Sequence, residues 1–465
     1  MSRPALTEPS TVCRAVARIA LRAALLAPLA LAVPAAPAAG LALRAAPAAG
    51  PAVPLAASAA AVPAPSDTSA LEAAPDTGWV EIGSSPFGKD DPFADLPGEE
   101  ESPEAAPPPH AHLRPYLDFN RVDQFTLGLD HAFTPKTGLL PGFAVRVARS
   151  LRRESSEGDG RWLWRLALEQ PIDAHRSAVL GVSQYRFTAH DDSETLPDAE
   201  NLLAAYFFHW DYRDYYDLVG TQVSARWTWN NAWTLSALHN DDHYGSIPLL
   251  ASGTKSLFRR SQPWRANPPV EDGQIKSVTF GLEYDTRAPR GLPKKGMWNR
   301  FAVETAGGSQ GGDFGYVRWS GDVRAYISPA PGQTLRTRVE AGTTGGGPLP
   351  FQRTFAVGGI GTLRAHNYDT FRGRNLFLAN GEWAYVVLKR SSRNVAIKTG
   401  VQVVAFSDFG LAWDAPVYDL ARRQPAWDGG LGLGTTDENL RVYFARDLRA
   451  QRAPVHVTLR LSRSF

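Results

Sequence analysis

From Arg114 to the C-terminus, apolar and polar residues alternate in short runs broken by Gly, Asn, Asp and Pro, the pattern of strands and turns. The last run is the clearest. PVHVTLRLSRSF at 454–465 puts Val455, Val457, Leu459 and Leu461 on one strand face and His456, Thr458, Arg460, Ser462 and Ser464 on the other, and it ends on Phe465. A soluble sandwich alternates in the same way, but a terminal aromatic suits the membrane–water boundary, where outer-membrane barrels carry girdles of rings. Similar runs predict strands near 121–133, 142–152, 161–172, 177–190, 201–210, 218–230, 232–244, 275–287, 296–308, 314–329, 332–345, 375–389, 395–413, 427–436, 440–448 and 454–465. The fifth of these also reads as a short helix, and twelve or fourteen strands remain open.

The connections give an independent check. Single-chain outer-membrane barrels have short periplasmic turns and longer outside loops. Counted back from Phe465, the connections near 230–231, 329–333, 389–394 and 435–439 are short, and those near 245–274, 346–374 and 414–426 are long. Short and long alternate with the required parity. The expected fold is therefore all-β, a transmembrane antiparallel β-barrel of about 16 strands over 114–465.

Upstream of 114 the texture differs. Arg14, Arg18 and Arg22 precede the apolar run AALLAPLALAV at 23–33 and the small residues AAPAAG at 35–40, the signature of a secretory signal peptide, assigned to 1–39. Residues 40–113 are Ala- and Pro-rich and then acidic, as in GKDDPFADLPGEEESPEAAPPP at 88–109, a composition that cannot build a core. They read as a disordered periplasmic tether in which TGWVEIGSSPF at 77–87 is the one apolar patch suited to docking.

Composition narrows the partners. The net charge of +2 leaves no basic footprint for nucleic acid, so none is expected. The mean hydropathy is -0.25, and no uncharged apolar stretch of about 18 residues follows the first fifty positions, which argues against membrane helices but not against a barrel. Cys13 is the single cysteine and precedes the apolar run, so neither a disulfide nor a cysteine metal site is expected after export.

Four separated segments resemble the bacterial surface antigen family of outer-membrane barrels, to which the BamA and TamA assembly barrels belong. TFGLEYDTRAPRGLPKKG at 279–296 is similar to the family's strand ending in Asp-Thr-Arg, and FAVGGIGTLRAHNYDTFRGR at 355–374, with Gly358 and Gly359, to its long sixth outside loop. VVAFSDFGLAW at 403–413 matches the Phe-x-Asp-x-Gly strand, and DGGLGLG at 428–434 with LRVYFARDL at 440–448 resembles the strands before the last. FNRVDQFTLGL at 119–129 and DYRDYYD at 211–217 are weaker matches to first-strand and loop elements. Two departures stand out. The family's Arg-Gly-aromatic reads Arg364-Ala365-His366, and about seventy low-complexity residues cannot encode a POTRA domain, so none is expected.

The resemblance implies insertion or translocation of polypeptides at the outer membrane, through a weak seam that would join strand 121–133 to strand 454–465, with no cofactor. It also implies a structural latch, in which Arg364 of the loop folds inward to Asp408, with Glu382 of GEWAY as second partner and Arg372 as rival for the role. The terminal strand, through Leu459, Leu461 and Phe465, would be the signal read by the outer-membrane assembly machinery, although Arg463 stands where the family signal has an aromatic. Expected partners are outer-membrane lipid, that machinery and client polypeptides. The alternative is a passive pore or structural surface barrel with no assembly role.

Other chemistry is thinly represented. His239, Asp241 and His243 share a strand face, and HAH at 110–112 adds two histidines, but polar residues at an outside strand end need no metal, and no metal site is expected. His209, His243 and scattered serines carry no nucleophile motif, so no catalytic residue is assigned and no enzyme is expected. Asp285 and Arg287 read as turn and wall contacts. Trp162 with Trp164, and Trp227 with Trp229, read as lipid-facing girdle.

Overall fold

The computed structural model describes residues 111–135, 138–152, 160–191, 195–249, 256–258, 262–288, 292–389, 400–415 and 423–461. The expected signal peptide, almost all of the expected tether, Arg463 and Phe465 lie outside the described residues. The first strands are β1 (Ala111–Asn120), β2 (Gln124–Phe133), β3 (Gly142–Ser150), β4 (Trp162–Pro171) and β5 (Ala178–Ala189), followed by helix α1 (Asp198–Phe208). Next come β6 (Tyr216–Trp229), β7 (Trp233–Ser246), β8 (Gly273–Asp285), β9 (Gly296–Ala306), β10 (Tyr316–Ile327) and β11 (Gln333–Gly346). A loop hairpin, β12 (Phe355–Val357) and β13 (Phe371–Gly373), precedes β14 (Asn375–Leu388), β15 (Val401–Trp413), β16 (Ala426–Thr435), β17 (Arg441–Asp447) and β18 (His456–Arg460).

Apart from the loop hairpin, the strands form one 16-stranded antiparallel sheet in which every strand pairs with its sequence neighbours. Ladder contacts between consecutive strands satisfy the backbone across the sheet, as a lipid environment demands. The sheet curls on itself. Arg336 of β11 reaches Glu438 in the β16–β17 turn, and Arg460 of β18 reaches Glu200 of α1. No helix among the described residues is long and apolar enough to cross a membrane, which leaves crossing by strands untouched. The fold is a transmembrane β-barrel.

Each strand separates two environments. In β4, Trp162, Leu166 and Leu168 point outward and are about half exposed, while Leu163, Arg165, Ala167 and Glu169 are buried inside. In β10 and β11 the inward residues are Asp322, Arg324, Arg336 and Arg338, and the outward ones include Trp319, Ile327 and Val339. Apolar outside and charged inside is the polarity of a barrel wall in lipid. Trp227, Trp229 and Trp233 pack in succession at one end of β6 and β7 (ring centroids 5.1 and 6.0 Å apart, the second pair stacked), whereas Trp162 lies at the opposite rim under the Arg149 guanidinium, 5.5 Å away.

Two sequence-based expectations are corrected, and the errors offset in the strand count. Residues 201–210 form no strand: 201–208 belong to α1, which starts after Pro197, has Asp198 and Glu200 in its first turn and runs through Leu and Ala, all favourable to helix, and His209 caps its end. The strand thus removed is replaced upstream by β1, where Leu113, Pro115 and Leu117 alternate with Arg114, Tyr116 and Asp118. The sheet therefore begins at Ala111 rather than 114, and any seam involves β1 rather than 121–133. Pro115 lacks a ladder donor, and such a residue is tolerated on an edge strand.

The outward polarity of β4 yields a direct expectation. Leu166→Arg, near the middle of the strand, should cost ~2–4 kcal/mol of folding free energy in vesicles, measured by denaturant titration, whereas the same change near a rim should cost about 1 or less.

Candidate functional site

The connection 347–374 between β11 and β14 folds into the lumen. Its base is the β12–β13 hairpin, where Phe355 pairs with Gly373 and Val357 with Phe371. Beyond Val357 the chain makes a tight reversal through Gly358 (φ 138°), Gly359 (φ 83°) and Gly361 (φ 77°). A Cβ on Gly358 would lie 2.3 Å from the Asn367 carbonyl oxygen, so no other residue fits there. The Gly358 N–H donates to Thr362 Oγ1 (2.9 Å) and the Gly359 N–H to the Leu363 carbonyl (2.9 Å), which points the next residue, Arg364, at the wall.

Arg364 is buried among carboxylates. Its Nε and Nη2 donate to the two oxygens of Asp408 on β15 at 2.7 and 2.6 Å, a bidentate pair, and Nη1 donates to Glu382 on β14. The guanidinium lies over the Phe406 ring, 3.8 Å from its centroid, and 5.0 Å from that of Tyr443. Asn380 closes the set, donating to Asp408 (2.9 Å) and to the Thr362 carbonyl (2.8 Å). Burial alone would favour the neutral guanidine, but Asp408 and Glu382 outweigh it and hold the Arg364 pKa above its ordinary value. Glu382 also accepts from Tyr443 Oη (3.1 Å), and Arg336 and Arg441 approach it at 3.7 and 3.6 Å.

Ala365 stands where the family has glycine, and the structure accommodates it. Its φ is not positive, its methyl sits in a cluster with Ala384, Val404, Phe406 and Tyr443, and its N–H donates to Asp428 on β16 (2.8 Å). His366 places Nδ1 3.1 Å from the same carboxylate. Arg372, the rival, turns elsewhere: it pairs with Asp369 inside the loop, donates to Thr354 Oγ1 (3.1 Å) and lies 3.6 Å from Asp214.

The remaining sequence candidates fall outside this constellation. Leu459 and Leu461 face outward. Asp285 and Arg287 pair across their own turn, with Arg287 stacked 3.8 Å over Trp298. Asp241 is engaged by Gln274 and Lys276, and no group of three or more metal-binding side chains occurs among the described residues. His112 lies in β1, and His110 is outside the described residues. His209 Nδ1 lies 2.9 Å from Ser256 Oγ, but Ser256 is buried and bonded to the Phe258 carbonyl, which leaves no attacking hydroxyl at the surface.

Sequence reasoning missed a second inward cluster. Arg121, in the β1–β2 turn, is wholly buried and pairs with Asp211 (3.2 Å) and Asp214 (3.1 Å) of the DYRDYYD segment. The motifs FNRVDQF at 119–125 and DYRDYYD at 211–217 contain both partners, but no spacing in either indicates that they meet.

A curled sheet with lipid polarity outside, charge inside and an inward-folded loop held on the wall defines an outer-membrane β-barrel with an occupied lumen. A family model for the Omp85 superfamily domain matches residues 185–436, more than half of the chain, and the chain belongs to that superfamily. Its place is the Gram-negative outer membrane. No curated protein sequence matches it. Among solved structures the fold is similar to BamA from Haemophilus ducreyi lacking POTRA domains 1–3, at 11% identity and TM-score 0.51, over 76% of this chain and 69% of that one. CdiB from Escherichia coli aligns at 14% identity and TM-score 0.42, over 74% of this chain and 60% of its own.

His366 gives the site a pH dependence. Its hydrogen bond to Asp428 outweighs partial burial and raises its pKa above 6.5, with Asp447 adding to the effect. A raised folded-state value stabilises the folded form fully below the unfolded value and loses that contribution as pH climbs through the folded value. Heat stability of the barrel should therefore decline as pH rises past 6.5, and His366→Gln should remove that part of the slope in melts followed by gel mobility.

Proposed function

We propose that this barrel assists insertion or translocation of polypeptides at the outer membrane, with loop 347–374 held across the lumen as a plug. The observation that carries the reading is the state of the sheet's two ends. Among the described residues β1 pairs only with β2 and β18 only with β17, so a superfamily barrel presents two strand edges to which an incoming strand can add. Depletion in the native host, followed by a census of outer-membrane proteins, tests it: selective loss of other barrels or secreted chains is expected, and an unchanged census removes the assembly role in favour of a passive surface barrel.

Within that reading Arg364, Asp408 and Glu382 act as a structural latch that clamps the loop to β14 and β15. No bond is made or broken there. A buried ion pair that loses one partner leaves an uncompensated charge, so Arg364→Ala or Asp408→Ala should each cost ~3–5 kcal/mol. The double variant should recover part of this, giving a coupling of ~1–3 kcal/mol in barrel unfolding, and zero coupling would remove the latch.

A further inference from the structure

Helix α1 is built the wrong way round for a helix under water. Its buried residues are Glu200, Asn201 and Ala205, while Leu203, Phe208 and the following Trp210 are about 40% exposed (38%, 43% and 41%). A surface helix of a soluble domain turns its apolar stripe inward. Here the polarity is that of the barrel strands, charge inside and hydrocarbon outside.

Position agrees with polarity. The helix packs against β1, whose other edge is taken by β2. Tyr206 meets Phe119 and Phe125 edge to face, with centroids 5.2 and 5.4 Å away. Those two rings share the outward strand face with Leu117 and Leu127, which are about half exposed. The polar side of α1 meets the inner face of the last strand: Arg460 donates to Glu200 and to the Thr195 carbonyl, each at 2.7 Å. Thus one helix touches the first strand on its outer face and the last strand on its inner face.

We propose that α1 is an element of the barrel wall, standing in the seam between β1 and β18 with its apolar face turned to the acyl chains of membrane lipid. A helix suits the place, since its own backbone groups are satisfied within the segment and it brings no further strand edge to hydrocarbon. The apolar surface continues past the helix through Phe258, 54% exposed, whose N–H donates to the Phe207 carbonyl (3.1 Å). It merges with the outward belt of β1 and β2, so lipid is the occupant that continuity selects. For the assembly role, on which only this consequence rests, an incoming strand would reach β1 or β18 by displacing α1.

The test uses a nitroxide on Leu203→Cys in the full-length chain carrying Cys13→Ser, inserted in phosphatidylethanolamine–phosphatidylglycerol vesicles. Leu129→Cys, on an outward strand face, is the lipid control. Relaxation by oxygen should exceed relaxation by a water-soluble nickel chelate, with a ratio close to that at position 129. A ratio favouring the chelate, or spin–spin broadening that vanishes when labelled protein is diluted with unlabelled, would assign the face to water or to a second copy and overturn the proposal. Should Leu203→Cys fail to give the heat-modifiable folded form, Phe207→Cys, one helical turn further on, reports on the same face. The readout is independent of clients, so loss of the assembly reading leaves it standing, and the reverse.

Discussion

Hydrocarbon offers no hydrogen bonds, and each backbone N–H or C=O left facing it costs several kcal/mol. That constraint orders the whole molecule. It requires strands that pair on both edges, which gives the sequential 16-stranded meander, and it requires a solution wherever pairing stops. Among the described residues pairing stops at β1 and β18. Pro115, which lacks a donor, sits on β1, where an unfilled ladder position matters least, and a self-satisfied helix lies beside that edge.

The same constraint sends charge inward, where it creates a second problem. Arg336, Arg338, Asp322, Asp408 and Glu382 are each at most 4% exposed, and isolated buried charges are costly. The wall answers with pairs on neighbouring strands, such as Arg300 and Arg338 around Asp322 (both 3.1 Å). Asp408 is different, because its guanidinium comes from the loop. The loop is thus held by the wall's need for a counter-charge as well as by its own hairpin. Gly358 makes the approach possible, since the chain must turn there at a spacing that excludes a Cβ.

Legibility followed the same division between wall and interior. Alternation along β4, β10, β15 and β18 was plain in the sequence because each strand separates lipid from a polar lumen, so the pattern is local. Parity of the connections was plain for the same reason. The ends of the sheet were not. In β1 the alternation of Leu113, Pro115 and Leu117 adjoins a proline-rich stretch and merges with it, and in α1 the run LLAAYFF has too few polar residues to reveal its period. Contacts between segments distant in sequence were out of reach without the resemblance. Arg121 meets Asp211 across 90 residues and Arg460 meets Glu200 across 260, and no spacing rule encodes either.

Arg364-Ala365-His366 shows how a departure from a family pattern can be absorbed. Glycine at the middle position would permit a left-handed backbone or a contact too close for a methyl, and neither occurs, because Ala365 keeps an ordinary φ and its methyl fills a pocket against Ala384 and Val404. The third position then exchanges an aromatic for a histidine, and Asp428 is placed to receive it, already accepting the Ala365 N–H. One carboxylate on β16 therefore holds two successive loop residues, while Asp408 on β15 holds the one before them. Three consecutive residues are tied to two adjacent strands, so the loop cannot slide along the wall without breaking all of these contacts. Substituting histidine for an aromatic leaves that restraint in place and adds a titratable imidazole whose pKa the hydrogen bond to Asp428 raises.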